Sequence, residues 1–424
     1  MLRYFYNFIL YALQPLILLF MWLRSYKSPN YRKRISERYG FYPHSIAPRP
    51  NGIIIHAASV GEVIAATPLV RQIQQDYPNL AITFTTVTPT GSDRVKAAFG
   101  DTVTHIYLPY DLPDALERFL KFVQPKACIV IETEIWPNLI RKLYLRKIPF
   151  IIANARLSQR SAKRYGWVKN KLANMFNEIS LIAPQDSISG QRYINLGYRG
   201  KLILTGNIKY DLTVNEDLLN KINQLEKEWH CQRPIWIAAS THDGEEQIIL
   251  DCHRQLLEKH PDLLLILAPR HPERFDHVAT LIEKSGVTYS RRSQNTPPTA
   301  QTQILLGDTM GELMVMYGIS QIAFVGGSLV KHGGHNPLEP LAFKLPVISG
   351  KYVYNFPEIF NKLIKVQGVL IVKENPQALS NAIDKFLNSA SLRKRYGKSG
   401  YTVLNQNRGA LRRLLHLLRP YLDN

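Results

Sequence analysis

Cysteine is scarce in this sequence, which contains three cysteines in 424 residues. Cys128, Cys231 and Cys252 are too few and too widely spaced for a disulfide framework or a structural zinc site. Internal repeats and low-complexity tracts are also lacking, and the hydrophobic content of 45% is that of a globular protein rather than a disordered chain. We therefore expect a folded protein of a reducing compartment, with no metal site and no cofactor.

Acidic residues are outnumbered, since 33 Asp and Glu stand against 53 Lys and Arg, for a net charge of +20. The excess is concentrated in residues 1–50, 151–215 and 386–424, each with a net charge of +7. Clustered positive charge favours a polyanionic partner, which could be nucleic acid, an anionic membrane face or a phosphorylated lipid. Simple solvation of basic side chains is the alternative. No nucleic-acid-binding signature accompanies the clusters.

Charge is missing altogether from the twenty residues Tyr4 to Leu23. Twenty residues in a helix match the hydrocarbon thickness of a bilayer, which is about 30 Å. Arg24 and four further basic residues follow within eleven positions, and this asymmetry predicts a cytoplasmic body. No small-residue cleavage site follows, which argues against a cleaved signal peptide. The stretch predicts an N-terminal anchor, either a single-pass helix or a monotopic helix in the interface, because Gln14 and Pro15 interrupt its middle.

The remaining chain alternates short apolar runs with helical patterns, which predicts an α/β fold with parallel sheets. The predicted strands of the first half are Gly52–His56, Ala81–Thr86, Val103–Leu108, Ala127–Ile131, Phe150–Ala153, Ile179–Ala183 and Leu202–Thr205. After a helical stretch the rhythm restarts, with strands at Ile235–Ala239, Leu263–Ala268, Ile304–Leu306, Gln321–Val325, Pro346–Ile348 and Gly368–Val372. Two Rossmann-like domains in tandem imply a cleft between them that binds ligands.

Glu62 follows the first predicted strand, in the segment His56-Ala-Ala-Ser59-Val-Gly61-Glu62. Ser59 and Glu62 have the spacing of a capping box, which is a structural explanation for this carboxylate. A carboxylate at the carboxyl end of a strand could instead remove a proton from a sugar hydroxyl. The pattern leaves both interpretations open.

Two more acids, Glu132 and Glu134, follow the fourth predicted strand in Glu132-Thr-Glu134-Ile-Trp136-Pro. They point to the same side of an extended chain, so both could face a ligand. Pairing with basic neighbours is the structural alternative. Arg94 and Arg156 occupy comparable positions after strands two and five, where a guanidinium could bind phosphate or carboxylate or simply be solvated.

In the second half, polar and glycine-rich segments follow strand after strand. They are Ser240-Thr241-His242, Pro269-Arg270-His-Pro-Glu-Arg, Gly307-Asp-Thr-Met-Gly311-Glu312-Leu313, Gly326-Gly-Ser and Gly334-His-Asn336-Pro-Leu-Glu339-Pro. Glycines allow close backbone approach, and helix N-termini bind phosphate.

Four segments of the first half complete the set of motifs: Ser59-Val-Gly-Glu62, the Glu132 segment, Asn154-Ala-Arg156-Leu-Ser and Gly206-Asn-Ile-Lys209-Tyr-Asp. Together, the motifs of both halves resemble the Kdo (3-deoxy-D-manno-octulosonate) transferase family of lipopolysaccharide biosynthesis. The resemblance spans nearly the whole chain. Thr205 departs from it, since proline is expected there. The resemblance implies a GT-B architecture, with two Rossmann-like domains facing a cleft and an N-terminal membrane-anchor helix.

It also implies the function, an inverting transfer of Kdo from CMP-Kdo to a glucosamine hydroxyl of a lipid A precursor at the cytoplasmic face of the bacterial inner membrane. Glu62 would be the catalytic base, with Glu132 and Glu134 as supporting acids. The residues that would bind the acceptor are Ser59, Gly61, Arg94 and Arg156. The residues that would bind the donor are Lys209, Ser240, Thr241, His242, Arg270, Gly311, Glu312, Leu313, Asn336 and Glu339.

The expected organisation is a membrane anchor at residues 1–25, an acceptor-binding domain at 26–205 and a CMP-Kdo-binding domain at 206–405. Residues 406–424 are expected to form an amphipathic helix that Pro420 ends and that packs back toward the N-terminal domain. Three alternatives remain: another nucleotide-sugar transferase of the same architecture, a glycoside hydrolase with paired carboxylates, and a basic membrane-tethered nucleic-acid-binding protein.

Overall fold

Each half of the chain forms a sheet of seven parallel strands. The computed structural model describes residues 2–43, 45–166, 169–229 and 233–423. The chain divides into two compact units: unit 1 is Met1–Asp211 with Arg408–Asn424, and unit 2 is Leu212–Asn407. The predicted α/β class with two Rossmann-like sheets is confirmed.

Unit 1 carries helices on both faces of its sheet, whose strand order is β3-β2-β1-β4-β5-β6-β7. The strands are β1 Ile53–His56, β2 Ile82–Thr86, β3 Thr104–Tyr107, β4 Ala127–Ile131, β5 Phe150–Ala155, β6 Leu181–Pro184 and β7 Lys201–Leu202. The helices are α1 Leu2–Ala12, α2 Gln14–Lys27, α3 Val60–Asp76, α4 Pro89–Phe99, α5 Pro113–Val123, α6 Pro137–Leu145, α7 Gln159–Gly166, α8 Lys169–Phe176, α9 Ser187–Asn195 and, from the C-terminus, α18 Ala410–Leu422.

The first strand shows why its sequence is a continuous apolar run. Ile53 and Ile55 pack into the core on one face of the sheet, while Ile54 packs into the core on the other face. A parallel sheet covered on both sides needs apolar residues at successive positions, because neither face meets water. The strand therefore gives no alternating signal.

Unit 2 has the strand order β10-β11-β9-β8-β12-β13-β14. Its strands are β8 Ile235–Thr241, β9 Leu264–Pro269, β10 Tyr289–Arg291, β11 Ile304–Leu306, β12 Ile322–Val325, β13 Val347–Ser349 and β14 Val369–Ile371. Its helices are α10 Glu216–Glu228, α11 Glu246–Leu257, α12 Phe275–Lys284, α13 Leu313–Gly318, α14 Leu338–Leu341, α15 Pro357–Lys365, α16 Pro376–Leu387 and α17 Ala390–Gln406.

Two strands differ from the sequence-based prediction. β10, at the edge of the sheet, was missed because its three residues are all only partly buried. β7 comprises only Lys201 and Leu202, so most of the predicted strand Leu202–Thr205 lies outside it.

The boundary between the units lies after Asp211, whereas the sequence placed it at 205/206. Unit 1 retains these extra residues through long-range contacts. The backbone N–H of Ile208 donates to Asn154 Oδ1 at 3.1 Å, and the Asp211 carboxylate accepts from the backbone N–H groups of Gly409 and of Leu411, at 2.6 Å for the latter. The carboxylate thus joins the start of α18 to unit 1.

Helix α18 does not end at Pro420, which corrects the predicted stop. The helix continues to Leu422, whose side chain is buried together with Leu414 and Leu418 in the core of unit 1. A proline in the last turn removes one intrahelical hydrogen bond, and burial of the flanking leucines offsets that cost.

The N-terminal stretch folds as two helices, α1 and α2, bent by 45° at a break around Leu13. Within the part of the chain that the structure describes, no single helix has the length and apolarity to cross a membrane. Among the described residues, one bent pair, α1 with α2, meets both criteria together, by length and composition alone.

Candidate functional site

The sheet of unit 1 has a topological switch point between β1 and β4. From β1 the chain builds outward to β2 and β3 on one side, and β4 to β7 extend on the other. Ligands of such sheets bind in the crevice beyond the carboxyl ends of the strands at this point. Glu62 follows β1, and Glu132 and Glu134 follow β4, so the predicted acids lie on the two strands that flank the switch point.

Glu62 lies in the first turn of α3 and has the capping contacts that the sequence suggested. Its backbone N–H donates to Ser59 Oγ, the Ser59 hydroxyl donates to Glu62 Oε1 at 3.0 Å, and the backbone N–H of Ala58 donates to Oε2 at 2.7 Å. Each carboxylate oxygen has a second lone pair, so capping fixes the side chain without using up its capacity to accept a proton.

Glu132, Glu134 and Lys209 lie close enough to Glu62 to form an acidic cluster, the name used here for these four residues. The Lys209 ammonium lies 2.7 Å from Glu132 Oε1. Burial is the main cause that raises the pKa of Glu62, and the Glu132 charge raises it further, whereas the N–H of Ala58 and the Lys209 charge lower it. A half-buried carboxylate with a raised pKa is suited to general-base chemistry.

The pKa of Glu134 lies well above its usual range. Burial raises it to about 7, with a further contribution from the charge of Glu62. The indole N–H of Trp136 donates to Glu134 Oε2 at 2.9 Å, and Nε2 of the buried His56 lies 4.0 Å from the same oxygen. Burial lowers the pKa of His56 to about 4, so this imidazole is neutral at physiological pH.

Non-glycine residues adopt left-handed backbone conformations at three strand ends. They are Glu132 with φ of 64°, Asn154 with φ of 51° and Ser240 with φ of 58°. Such conformations cost free energy and are retained where the surrounding structure enforces them, which is commonly at functional sites. Two of the three are residues that the sequence had selected as site candidates.

The other predicted acceptor-site residues differ in their placement. Ser59 and Gly61 belong to the turn that holds Glu62, and half-buried Arg156 follows β5. Arg94 is exposed in the second turn of α4 rather than at its start. Lys209, which the sequence grouped with the donor site, lies in unit 1 and belongs to the acidic cluster.

Unit 2 repeats the arrangement, with a switch point between β8 and β12. Thr241 ends β8 and His242 follows it, while a glycine-rich segment that starts at Gly326 follows β12. The two loops touch closely. A Cβ on Gly326 would lie 2.6 Å from the Ser240 carbonyl oxygen, so a glycine is required at this position.

Glu245 connects the two loops, although the sequence analysis did not select it. Its buried carboxylate accepts hydrogen bonds from four backbone N–H groups, at 2.9 Å from His242, 2.6 Å from Gly327, 3.0 Å from Ser328 and 2.9 Å from Leu329. The available signal was an acid between a strand end and the start of a helix, since Glu245 immediately precedes α11. Its role is to hold these two loops of unit 2 together, because both of its oxygens accept backbone hydrogen bonds.

Four histidines surround this loop junction and are termed the histidine cluster: His242, His271, His332 and His335. The rings of His242 and His335 stack with centroids 5.0 Å apart, and their Nε2 atoms are 2.8 Å apart. Burial, together with positive neighbours that include Arg270, lowers the pKa of His242 to about 4 and that of His335 to about 3. An anion near these rings would raise both pKa values.

Arg270 links the histidine cluster to Glu339. Its backbone N–H donates to the Thr241 carbonyl at 3.0 Å, and its charge lowers the pKa of Glu339, which burial raises. Asn336 Nδ2 donates to Glu339 Oε1 at 3.3 Å. The structure therefore brings six predicted donor-site residues to the ends of β8, β9 and β12: Ser240, Thr241, His242, Arg270, Asn336 and Glu339.

The segment Gly311-Glu312-Leu313 forms the turn into α13. Gly311 has φ of 90°, which glycine adopts without strain. The Glu312 carboxylate pairs with Arg292 at 2.8 Å, and Leu313 packs against a core cluster of unit 2. The side chains of Glu312 and Leu313 are both occupied within unit 2, so the turn can offer a ligand mainly its backbone.

A groove of about 730 Å³ lies elsewhere in unit 1. It is lined by residues of α18, by Ile203 and Leu204, and by Gln72 and Asp76 near the end of α3. Glu62 lies at the opposite end of that helix, about 15 Å away at 1.5 Å per residue. This groove is separate from the acidic cluster.

Among the residues placed by the structure, no group of three or more His, Cys, Asp or Glu side chains could hold a metal ion. Cys128 and Cys252 are free and buried, and burial raises the pKa of both thiols. Cys231 lies outside the described residues.

Two Rossmann-like units, each with polar residues at its switch point, define the fold of GT-B glycosyltransferases. A solved structure of UDP-GlcNAc 2-epimerase from Neisseria meningitidis is similar in fold, with a TM-score of 0.58 and 14% identity over 88% of this chain and 100% of that chain. Two family models match the sequence: 3-deoxy-D-manno-octulosonic-acid transferase (kdotransferase) over residues 33–212 and glycosyl transferases group 1 over residues 232–403.

Two relatives with the same name match over almost their whole length. The 3-deoxy-D-manno-octulosonic acid transferase of Haemophilus influenzae is 64% identical over 422 residues, 99% of each chain. That of Bordetella pertussis is 30% identical over 433 residues, 98% of this chain and 99% of its own. The chain therefore belongs to the 3-deoxy-D-manno-octulosonic acid (Kdo) transferase family and is a glycosyltransferase, as the sequence motifs predicted.

Proposed function

We propose that this enzyme transfers Kdo from CMP-Kdo to a glucosamine hydroxyl of a lipid A precursor, with inversion at the anomeric carbon. The observation that carries the proposal is the position of Glu62. It lies at the switch point of unit 1, held by Ser59 and the Ala58 N–H, with two more carboxylates and Lys209 beside it. Family membership supports the identity of the sugar.

In this mechanism Glu62 takes the proton of the acceptor hydroxyl as its oxygen attacks the anomeric carbon of Kdo. The new C–O bond forms as the bond from that carbon to the phosphate oxygen of CMP breaks, and CMP leaves with the electron pair. A single displacement from the opposite face inverts the configuration. Glu62 must be ionised to act, and its position in the first turn of α3 favours the anion.

The donor binds to unit 2 in this proposal. Arg270 and the helix N-termini bind the phosphate of CMP, and Glu339 accepts hydrogen bonds from the ribose hydroxyls. Arg270 supplies a permanent positive charge among neutral histidines, and fixed donors of this kind stabilise the charge that develops on a leaving phosphate.

We place the reaction at the cytoplasmic face of a bacterial inner membrane. The lipid acceptor resides in a membrane, residues 1–50 carry a net charge of +7, and α1 and α2 expose large apolar side chains. Basic segments beside an apolar anchor bind anionic lipid surfaces.

The test is incubation of the purified full chain with CMP-Kdo and tetraacylated lipid A precursor, with products identified by mass spectrometry. The expected product gains one or more Kdo residues, and NMR of its anomeric centre should show inversion relative to CMP-Kdo. Products with a nucleotide sugar other than CMP-Kdo, and none with it, would overturn the proposal.

Glu62→Gln tests the base directly. It should lower kcat by about a hundredfold or more, while calorimetry shows unchanged CMP binding. Glu216→Gln is the matched control, because Glu216 is also an acid in the first turn of a helix but is exposed in unit 2. Substantial turnover by Glu62→Gln removes Glu62 from the role of base.

A further inference from the structure

The N-terminal helices α1 and α2 have two unlike faces. The inner face, which turns toward unit 1, carries Tyr6, Asn7, Leu10, Gln14, Ile17 and Met21, all at least partly buried. The outer face carries large exposed apolar side chains, among them Phe5, Phe8, Leu16, Leu19, Phe20 and Leu23. Phe8 is 70% exposed and Phe20 is 60% exposed. An exposed apolar surface of this extent marks a binding surface.

The inner face of α1 is polar and is bonded to unit 1. The Tyr6 hydroxyl donates to Asp111 Oδ2 at 3.0 Å. Asn138 Nδ2 donates to Asn7 Oδ1 at 2.7 Å, and Arg3 Nε donates to Asn138 Oδ1 at 3.2 Å. Tyr11, which is exposed, pairs with Asp114. Each of these four side chains of α1 therefore has a hydrogen-bond partner outside the helix.

Asp111 lies at the centre of the contact between α1 and the rest of unit 1. It is 2% exposed, and its carboxylate accepts the backbone N–H groups of Asn138 and Leu139 at 2.9 Å each. It therefore caps the N-terminus of α6, and the Tyr6 hydroxyl completes its hydrogen bonds. Burial raises the pKa of Asp111 to about 6. Removal of α1 would expose this carboxylate and break the contacts on Asn138.

A transbilayer path for the pair conflicts with these contacts. α1 has 11 residues and α2 has 14, or about 16 and 21 Å at 1.5 Å per residue, so neither alone crosses a hydrocarbon core of about 30 Å. To cross together, α1 would have to leave the rest of unit 1, which breaks the hydrogen bonds of Arg3, Tyr6 and Asn7 and carries the Asn7 amide into lipid without a partner. Unpaired polar groups in hydrocarbon are strongly disfavoured.

The charges beside the outer face identify its occupant. Arg24 is exposed and stacks on Tyr31, and Arg32 lies over the rings of Trp22 and Tyr26. Aromatic rings and arginines at one end of an apolar surface are typical of a helix in the headgroup region of an anionic membrane. An uncharged protein surface would leave the excess positive charge of residues 1–50 unmatched.

We propose that α1 and α2 lie flat in the interface of an anionic bilayer, with the outer face in lipid and the inner face docked on Asp111 and Asn138, and that they do not span the membrane. The pair then stays next to α6. The segment that leads into α6 carries Glu132, Glu134 and Trp136, so the helices that touch the lipid also brace the loop that supplies two carboxylates of the acidic cluster. This last step rests on the proposed function, whereas the membrane arrangement does not.

The first experiment determines on which side the N-terminus lies. A short polar tag with one cysteine is fused ahead of Met1, in a chain whose Cys231 is replaced by serine, and labelled in cells with a membrane-impermeant maleimide. Lys394→Cys, exposed in unit 2, reports the side of the body. We expect both thiols to respond alike: either both react in intact cells, or both react only after the membrane has been permeabilised. Reaction on opposite sides would show that the pair spans the membrane and would overturn the inference.

The second experiment measures sedimentation of the full chain with vesicles. Phe8→Ser with Phe20→Ser should weaken binding to phosphatidylglycerol vesicles by about tenfold or more, since each side chain loses its burial in lipid. Ile188→Ser with Ile364→Ser, two exposed apolar residues outside the pair, is the matched control and should bind as the unmodified chain does. Phosphatidylcholine vesicles should bind more weakly than phosphatidylglycerol vesicles.

Unchanged vesicle binding by the Phe8/Phe20 variant overturns the proposal, and a concurrent change in its oligomeric state would assign the outer face to a protein interface. Neither experiment uses CMP-Kdo or an acceptor. An enzyme inactive with these substrates could still show the flat arrangement, and an active enzyme could still prove to have a spanning anchor, so the two proposals fail independently.

Discussion

The Lys209 ammonium lies 2.7 Å from Glu132 Oε1, which joins the end of β4 to the segment after β7. Both charges also act on the pKa of Glu62, where Glu132 raises it and Lys209 lowers it. The two residues therefore have opposite effects on the pKa of Glu62, the general-base candidate. Replacing each one should shift the pH dependence of transfer in the opposite direction to the other.

Replacement of either partner should shift the acidic limb of the kcat/KM profile. Glu132→Gln removes a negative neighbour and leaves Lys209 to act on Glu62, so the pKa of Glu62 falls and activity persists to lower pH. Lys209→Met removes the positive neighbour, so that pKa rises and activity is lost at higher pH. The measurement is kcat/KM against pH for each variant.

The sign of these shifts is the critical result. A reversed pair of shifts, or the same shift for both variants, would mean that Glu62 does not determine the acidic limb. Arg71→Met, a change of charge on α3 outside the acidic cluster, is the control for a general effect of net charge.

Glu245 allows a prediction about stability. Its carboxylate is buried and accepts four backbone N–H groups, so Glu245→Ala would leave these donors unpaired in the interior. We expect unit 2 to lose about 3 kcal/mol of unfolding free energy or more, measured by urea unfolding, and CMP binding to weaken in parallel. Glu258→Ala, exposed at the end of α11, should change neither. Equal stability of the two variants would refute the bridging role of Glu245.

Much of the fold could be predicted because parallel strands buried on both faces must be continuous apolar runs. The strand ends were informative for the same reason, since parallel strands bring their carboxyl ends to one edge. Glu62, Glu132 and Glu134 were thereby selected as site candidates. The half-buried edge strand β10 has no such pattern and was missed.

Contacts between distant residues could not be predicted in this way. Lys209 was assigned to the donor domain, because the spacing of residues does not reveal a partner that lies 77 positions earlier. The stack of His242 on His335 joins residues 93 positions apart. Nothing in either local sequence indicates that these rings meet, since their approach depends on the order of β8 and β12 in the sheet.

The histidine cluster predicts proton uptake when the donor binds. The pKa of His335 is about 3 and that of His242 about 4 in the protein alone, lowered by burial and by positive neighbours. A bound phosphate should raise both. Calorimetry of CMP binding in buffers of different ionisation enthalpy should show greater uptake at pH 5.5 than at pH 7.5. His335→Asn should reduce the uptake, and proton release on binding would contradict the prediction.

Buried His56 should make the folded protein less stable in acid. Its pKa is lowered by burial to about 4, against about 6.5 for an unfolded chain. Between these values the unfolded state binds more protons, so stability that is present above pH 6.5 is lost as pH falls toward 4, at up to about 1.4 kcal/mol per pH unit from this group. Urea unfolding of the full chain from pH 7.5 to 4.5 should show the decline.

The raised pKa of Glu134, about 7, acts in the opposite direction. The folded state keeps that proton between about pH 4.5 and 7, so the stability associated with it grows as pH falls and partly offsets the loss from His56. His56→Gln removes one of the two opposing groups and should flatten the decline, or reverse it, in that range. Glu134→Gln should steepen it. A pH slope in both variants identical to that of the unmodified chain would show that neither residue controls acid stability.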